Sequence, residues 1–264
     1  MLRPRGIDAN TPNVARIYDY WLGGKDNFAA DRAAADRISE IVPEAQAAAR
    51  ANRDFLRRAV RFLAESGIRQ FIDLGTGLPT QANVHEVAHE IVPDAKVVYV
   101  DYDPVVVVHG HALLRTVDST AIVEADIREP EKILEHHELH ALIDFAQPVA
   151  VLMVGILHFI TDAEDPYRIV ARFRDAMVPG GYVAICHVTA DPRPQAVAPV
   201  TAIYDESTAP MVPRGRDEVL RLFDGFDLVD PGLVYAPDWR PEATGRPADS
   251  VTSFVFAGVG RKRP

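Results

Sequence analysis

"FIDLGTGLPTQANV", residues 71–84, joins an apolar run to a glycine turn and to a segment with helical character. The run ends near Asp73, Gly75 and Gly77 follow, and Leu78-Pro79 stand where a third glycine is common. A strand, turn and helix in this order are typical of an open α/β sheet, whose ligands bind beyond the carboxyl ends of the strands. The stretch therefore predicts the fold class and the place of a ligand.

Short apolar runs separated by helical segments continue after this stretch. Because the runs are apolar throughout, the pattern predicts a parallel sheet covered by helices on both faces. The Pro-rich segments 191–213 and 236–248 are interpreted as functional loops, because the sheet resumes after each. The predicted strands are 70–74, 96–101, 120–126, 148–154 and 182–188, followed by 226–234 and 250–259.

The chain before the first strand predicts three helices. The first is capped by Thr11, the second by Asp26 or Asn27, and the third runs from near Pro43 to Gly67. We expect residues 1–66 to form an N-terminal helical cap packed on a core made by residues 67–264.

Composition limits the possible functions. A chain of 264 residues with a formal net charge of -10 lacks the basic balance of a general phosphate-backbone binder, so no nucleic-acid partner is expected. Cys186 is the single cysteine, which excludes an internal disulfide and favours a reducing compartment. The longest apolar run, 149–157, is shorter than the roughly 20 residues that span a bilayer. We expect a cytoplasmic protein with no membrane partner, present as a monomer or homodimer.

Acidic residues lie at the ends of three successive predicted strands. Asp73 would repel a pyrophosphate but attract an ammonium group. Asp101 could accept both hydroxyls of a ribose, and Asp126 could accept from the exocyclic amine of adenine. A ligand with a cationic end and a nucleoside end satisfies all three, and S-adenosylmethionine fits this description better than NAD does.

Each of these residues also has a simpler interpretation. The glycines could form a plain tight turn, and Asp101 and Asp126 could cap the helices that follow them. Tyr102 could stack on adenine or be only a surface aromatic residue. Asp103 and Pro104 are expected to begin the next helix.

Longer motifs resemble those of a known family. "IDLGTG" (72–77), "YVDYDP" (99–104), "EADIRE" (124–129), "VLMVGILHFI" (151–160) and "PGGYVAI" (179–185) are similar to the ordered motifs of class I S-adenosylmethionine-dependent methyltransferases. More specifically, "ARIYDYWLGGKDNFAADR" (15–32), "ARANRDFLRRAVRFL" (49–63) and "GIRQFIDLGTGLPTQANVHEVA" (67–88) resemble the actinobacterial S-adenosyl methyltransferase family once listed as a domain of unknown function, DUF574. The resemblance covers roughly residues 7 to 260.

This resemblance implies a Rossmann-like α/β fold with a seven-stranded, mostly parallel sheet in the order 3-2-1-4-5-7-6, whose seventh strand is antiparallel. It also implies S-adenosylmethionine as cofactor. The residues expected to bind it are Asp73, Gly75, Thr76, Gly77, Asp101, Tyr102, Asp126, Ile127 and Gly155.

The residues that would bind the methyl acceptor are less sharply predicted. The stretch 18–28 is either a lid or acceptor-pocket wall, or a helix hairpin packed on the sheet edge. Arg50, Asn52 and Arg53 could grip a carboxylate or form a solvated helix face. Candidates for the lid or acceptor pocket are Tyr18, Gly24, Lys25, Asn27, Phe28, Arg53 and Tyr204, with Trp239 and Arg240 as rim residues.

His158 is the candidate catalytic residue. It follows the fourth predicted strand, and it could act as a general base or simply pack under the cofactor. His85 and His89 are four residues apart with no third ligand apparent, so no metal is expected.

The sequence thus predicts methyl transfer from S-adenosylmethionine to an unidentified small molecule. A cofactor-binding sensor without turnover is the main alternative. A nicotinamide oxidoreductase is disfavoured by Asp73 and the two-glycine turn.

Overall fold

The computed structural model describes residues 8–79, 83–114, 117–242 and 253–264. The α-helices are α1 Val14–Trp21, α2 Ala29–Ile41, α3 Ala45–Glu65, α4 Val84–His89, α5 Pro104–Leu114, α6 Pro130–Leu134, α7 His137–Leu142, α8 Pro166–Ala176, α9 Val197–Asp205 and α10 Arg216–Arg221. The strands are β1 Gln70–Leu74, β2 Lys96–Asp101, β3 Thr120–Glu124, β4 Ala150–Val154, β5 Tyr182–Val188, β6 Phe226–Leu228, β7 Val234–Tyr235 and β8 Val255–Lys262.

The strands form one mixed sheet in the order β3-β2-β1-β4-β5-β8-β6, with β7 pairing only with β8. β1 to β5 are parallel, whereas β8 runs antiparallel to β5 and β6. The expected fold is confirmed, and β8 occupies the place predicted for strand seven. The strand count differs because the run 226–234 divides at Pro231, which cannot donate to a ladder, and at Gly232, whose φ is 86°.

Neighbouring residues along β1 face opposite sides of the sheet. Phe71 packs with Phe55 and Leu63 of α3, whereas Ile72 packs in a second cluster with Phe173 of α8. Side chains alternate across a strand, so both faces of this sheet are covered by helices. This explains why the strands are apolar throughout.

The N-terminal helices begin later than predicted. Asn13 rather than Thr11 caps α1, because its side-chain oxygen accepts hydrogen bonds from the amides of Ala15 and Arg16. Asp31, inside α2, accepts from the Phe28 amide, so α2 begins at Ala29. Capping by Asp26 or Asn27 is therefore wrong, while the third helix lies where the sequence predicts it.

α1 and α2 are tied to α9 and to the end of β2. Ile17, Ile38 and Ile203 form a third apolar cluster between the helices. Asn13 Nδ2 donates to Asp103 Oδ2 over 2.5 Å, while Asp103 Oδ1 accepts from the Val105 amide at the start of α5, as predicted. The helical cap is therefore anchored beside the expected ligand site.

Among the described residues, no helix combines the length and apolarity needed to cross a membrane. The division of the chain at residue 66 stays a prediction.

Candidate active site

A cavity of about 210 Å³ lies beyond the carboxyl ends of β1, β2 and β4, under the N-terminal helices and α9. The strand ends contribute Asp73, Gly75, Thr76, Gly77, Asp101, Tyr102, Asp103, Val154, Gly155 and Ile156. The N-terminal helices and their connections contribute Val14, Ala15, Tyr18, Trp21, Ile38, Val42, Ala45, Ala48, Ala49, Asn52, Arg53 and Leu56. The later chain contributes His158, Phe159, Val188, Thr189, Ala190, Arg193, Ala196, Val197, Val200, Tyr204, Met211, Pro213, Phe254 and Val255.

The glycine turn after β1 needs its glycines. Gly75 and Gly77 have φ angles of 70° and 66°, in the left-handed region that favours glycine. A Cβ atom added to Gly75 would overlap the side chain of Ile156, whereas one at Gly77 would meet open space. The turn therefore brings bare backbone to the cavity wall.

Asp101, at the end of β2, is buried and held by backbone donors. Its Oδ1 accepts from the Asp103 amide and its Oδ2 from the Gly77 amide, both over 2.9 Å. Burial raises the pKa of this carboxyl to about 6. Because a carboxylate offers about four acceptor positions, two remain for hydroxyl donors of a ligand.

Asp73, at the end of β1, is buried with less compensation. Among the described residues its carboxylate accepts one hydrogen bond, from Thr76 Oγ1 at 3.0 Å. Burial raises the pKa of Asp73 to about 6, although the Thr76 contact and the Arg53 charge oppose the rise. A buried anion with so few donors favours a cationic partner.

Asn52 of α3 brings a second acceptor to this end of the cavity. Its Nδ2 donates to the Tyr18 hydroxyl over 2.9 Å, but its buried Oδ1 accepts no hydrogen bond from the described residues. Gly155, with a φ of 84°, lies against it, and a Cβ there would come 3.1 Å from Asn52 Nδ2. An ammonium group could donate to both Asn52 Oδ1 and Asp73.

The cofactor's ammonium and ribose groups thus fit the residues present. Among the described residues, Asn52 Oδ1 accepts no hydrogen bond and the Asp73 carboxylate accepts one, while Asp101 supplies an oriented carboxylate with acceptor positions still free. The glycine turn leaves room for close approach. From the sequence, Asn52 was expected to help grip a carboxylate or to lie on a solvated helix face, and not to accept from an ammonium group, since its isolated position in α3 carries no motif of its own.

His158 lines the part of the cavity where the methyl acceptor is expected, and its imidazole does not protonate readily. Its Nδ1 accepts a long hydrogen bond of 3.5 Å from the Val188 amide, and its ring contacts Phe159. Burial, together with the neighbouring His187 and Arg214, holds the pKa of His158 well below its usual value. The imidazole is therefore neutral near pH 7, with its proton on Nε2 when Nδ1 accepts.

Asp126 and Ile127 do not line the cavity. The Asp126 carboxylate accepts two hydrogen bonds of 2.9 Å from Arg128 Nε, and Ile127 is buried in the core. The Arg128 guanidinium lies 5.8 Å from the centre of the half-exposed Tyr102 ring. Asp126 is thus beside the Tyr102 edge of the cavity rather than on its wall.

The loop after α1 is organised around Asp19. This buried carboxylate accepts from the Asp26 amide over 3.0 Å and from Asn27 Nδ2 over 2.9 Å. A Cβ at Gly24 would overlap the Asp19 side chain, which accounts for the second glycine of the pair.

The predicted lid residues therefore divide into two groups. Tyr18, Arg53 and Tyr204 line the cavity, whereas Gly24, Lys25, Asn27 and Phe28 do not. Movement of the second group as a lid stays a prediction.

Trp239 was expected on the rim, and this is wrong. Its side chain is fully buried, with its ring centre 5.2 Å from that of Phe55. Arg58 donates to the carbonyl oxygen of Trp239 and helps to hold it behind α3. Arg240 does not line the cavity either, because its guanidinium lies 4.0 Å from the centre of the Phe62 ring.

Residues 2–263 match the sequence profile of a family described as S-adenosyl methyltransferase. A candidate methyltransferase from Thermobifida fusca is 42% identical, with a TM-score of 0.93 and full coverage of both chains. A DUF574 family protein from Streptomyces avermitilis is 40% identical, with a TM-score of 0.92, covering 97% of this chain and 99% of that one.

A more distant structure shares the fold alone. Human N-acetylserotonin methyltransferase, solved with S-adenosylmethionine, is 15% identical, with a TM-score of 0.52, covering 96% of this chain and 63% of that one. No curated protein matches the chain. The profile match and the two bacterial structures decide the family: the chain belongs to the S-adenosyl methyltransferase family of actinobacteria, and S-adenosylmethionine is its cofactor.

Proposed function

We propose that this protein transfers a methyl group from S-adenosylmethionine to a small molecule bound in the same cavity. The observation that carries the proposal is the continuity of that cavity. It joins the buried hydrogen-bond acceptors Asp73 and Asp101 to an apolar chamber between α1, α2 and α9. A small methyl acceptor could therefore meet the cofactor within one cavity.

The cofactor's nucleoside would bind at the ends of β2 and β3. Asp101 would accept the two ribose hydroxyls through its remaining acceptor positions, and Tyr102 would cover the adenine ring. Asp126, linked to the Tyr102 ring through Arg128, is proposed as a neighbour of the adenine amine, with Ile127 next to it in the chain. Their support is the position of Arg128 between Asp126 and the Tyr102 ring.

The cofactor's amino-acid end would bind at the ends of β1 and β4. Asp73 and Asn52 Oδ1 would accept from the ammonium group, which would satisfy two buried acceptors at once. Gly75, Thr76, Gly77 and Gly155 would allow the backbone to approach it closely. Arg53, on the same wall, would lie near the carboxylate.

When bound, S-adenosylmethionine supplies a sulfonium methyl group that a nucleophilic atom of the acceptor takes, while the carbon–sulfur electron pair returns to sulfur and the acceptor's proton leaves. The protein's part is alignment and exclusion of water. His158, neutral and on the acceptor side, would orient the acceptor by a hydrogen bond. Its lowered pKa makes it a weak base.

Turnover is the decisive test. The protein is incubated with methyl-labelled S-adenosylmethionine and a metabolite extract from an actinobacterium, and labelled product and S-adenosylhomocysteine are measured. We expect both to accumulate in equal amounts, and to fall sharply with Asp101→Ala. Cofactor binding without release of S-adenosylhomocysteine would instead identify a sensor.

A further inference from the structure

The chamber away from the strand ends is walled mainly by apolar and aromatic side chains. Trp21, Phe159 and Tyr204 supply rings, and Ile38, Val200 and Met211 supply aliphatic surface. The ring centres of Phe159 and Tyr204 lie 5.7 Å apart. Aromatic walls of this kind favour a flat ring, which can stack or meet them edge-on.

The charge of the chamber is internally compensated. Among the described residues that follow β4, Arg193 is the charged side chain that lines the cavity. Its two terminal nitrogens donate to the two carboxylate oxygens of Glu44, over 3.2 and 3.0 Å. Its guanidinium also lies 5.4 Å from the centre of the Phe254 ring. A charged ligand entering the chamber would lose its hydration without gaining a counter-ion.

The Tyr204 hydroxyl is, together with His158 Nε2, a polar group that the described walls of this chamber leave available. Tyr204 is 5% exposed and belongs to the cluster between α2 and α9. Burial alone raises the pKa of its phenol, with no hydrogen bond to another described group contributing. Tyr204 lines the cavity, and its hydroxyl hydrogen-bonds to no other described residue, so a ligand in the chamber that hydrogen-bonds to it would gain affinity.

We propose that the methyl acceptor is an uncharged, largely apolar ring compound with one polar group, which hydrogen-bonds to the Tyr204 hydroxyl. The Glu44–Arg193 pair excludes anionic acceptors by occupying the cation that would bind them. This inference rests on the proposed function, because it assigns the acceptor half of the same cavity.

The first test compares ligands that differ in one group. Equilibrium dialysis in saturating S-adenosylhomocysteine measures binding of naphthalene, 2-naphthol and 2-naphthoate at pH 7. We expect 2-naphthol to bind most tightly and 2-naphthoate about tenfold more weakly. Tyr204→Phe, which keeps the ring, should weaken 2-naphthol about fivefold and leave naphthalene unchanged.

The second test removes the carboxylate that pairs with the Arg193 guanidinium. In Glu44→Gln, which preserves side-chain size, Arg193 loses its countercharge. The affinity for 2-naphthoate should rise about tenfold, while that for 2-naphthol should stay the same. This variant does not depend on the folding of Tyr204→Phe, and binding of S-adenosylhomocysteine reports that each variant is folded.

The outcomes separate the two proposals. If S-adenosylhomocysteine binds but 2-naphthol does not, or if 2-naphthoate binds the wild type as tightly as 2-naphthol, the acceptor class is wrong and the proposed function stands. A Tyr204→Phe change that weakens naphthalene and 2-naphthol equally also overturns the hydrogen bond. Failure of the wild type to bind S-adenosylhomocysteine overturns the proposed function itself.

Discussion

Two buried carboxyls, Asp73 and Asp101, carry most of the electrostatics of the site. Both have pKa values of about 6, raised by burial from the ordinary 3.8. A carboxyl whose pKa is higher in the folded state takes up protons on folding. Its contribution to stability is complete below pH 3.8 and is lost as the pH rises through about 6. At neutral pH these ionised groups therefore destabilise the free protein, and we expect a cationic, hydroxyl-bearing ligand to offset that cost.

Cofactor affinity should consequently depend on pH. Because binding uses the ionised carboxyls, affinity for S-adenosylhomocysteine should fall about tenfold per carboxyl between pH 7.5 and 5. Calorimetric titrations at several pH values measure this. In Asp73→Asn the remaining dependence should be shallower, with Asp101 alone titrating. An affinity that is the same at pH 5 and 7.5 would contradict this account.

Gly75 is the residue at which backbone and packing both forbid a side chain. Gly75→Ala would combine a φ of 70° with overlap of the Ile156 side chain, so we expect a loss of about 2 kcal/mol or more in unfolding free energy and loss of cofactor binding. Gly67→Ala is the matched control, because φ there is 92° but a Cβ meets open space. It should cost about 1 kcal/mol and leave cofactor binding intact. Equal effects of the two variants in urea unfolding would show that packing against Ile156 is unimportant.

At the scale of elements, the N-terminal helices depend on one buried ion pair. Arg16 Nε donates to Asp31 Oδ2 over 2.8 Å, and the side chains are 4% and 0% exposed. Asp31 also accepts from the amides of Asn13 and Phe28, so a single carboxylate fixes the start of both α1 and α2.

Asp31→Ala should therefore destabilise the protein by about 3–5 kcal/mol, because it leaves Arg16 buried without its partner. Since α1 and α2 also wall the acceptor chamber, 2-naphthol binding should weaken as well. Asp94→Ala is the control, because it breaks the exposed Arg69–Asp94 pair and should leave stability unchanged within error. Thermal and urea unfolding compare the two, and similar midpoints would refute the structural role of Asp31.

Some elements could be predicted from local sequence and others could not. Continuous apolar runs identified the strands. A strand of a parallel sheet that is buried on both faces needs apolar residues at consecutive positions, and this signal is visible in the local sequence. The first residues of the helices were harder to predict from the sequence. Thr11 and Asn13 are both good caps, and the choice of Asn13 depends on its contact with Asp103, which is 90 residues away.

The same limit applies to the site. Asp73, Asp101 and the glycine turn were predictable because they lie at the carboxyl ends of strands. The Glu44–Arg193 pair was not, since it joins the start of α3 to the segment before α9. Trp239 was misplaced because its surroundings in sequence are Pro-rich, whereas its burial comes from Phe55 and Phe62.

At the scale of the whole molecule, the sheet and the N-terminal helices build two halves of one cavity. The strand ends provide acceptors for a cationic nucleoside ligand, and the helices provide an apolar chamber with compensated charge. The family assignment accounts for the first half. The second half is the part that we propose selects the methyl acceptor.

We propose that Asp101, held by the amides of Gly77 and Asp103, accepts hydrogen bonds from the ribose of the cofactor. Isothermal titration of S-adenosylhomocysteine into the wild type and into Asp101→Ala tests it most directly. We expect binding to the wild type and at least a tenfold loss of affinity in the variant, about 1.4 kcal/mol. Equal affinities in the two proteins would contradict it.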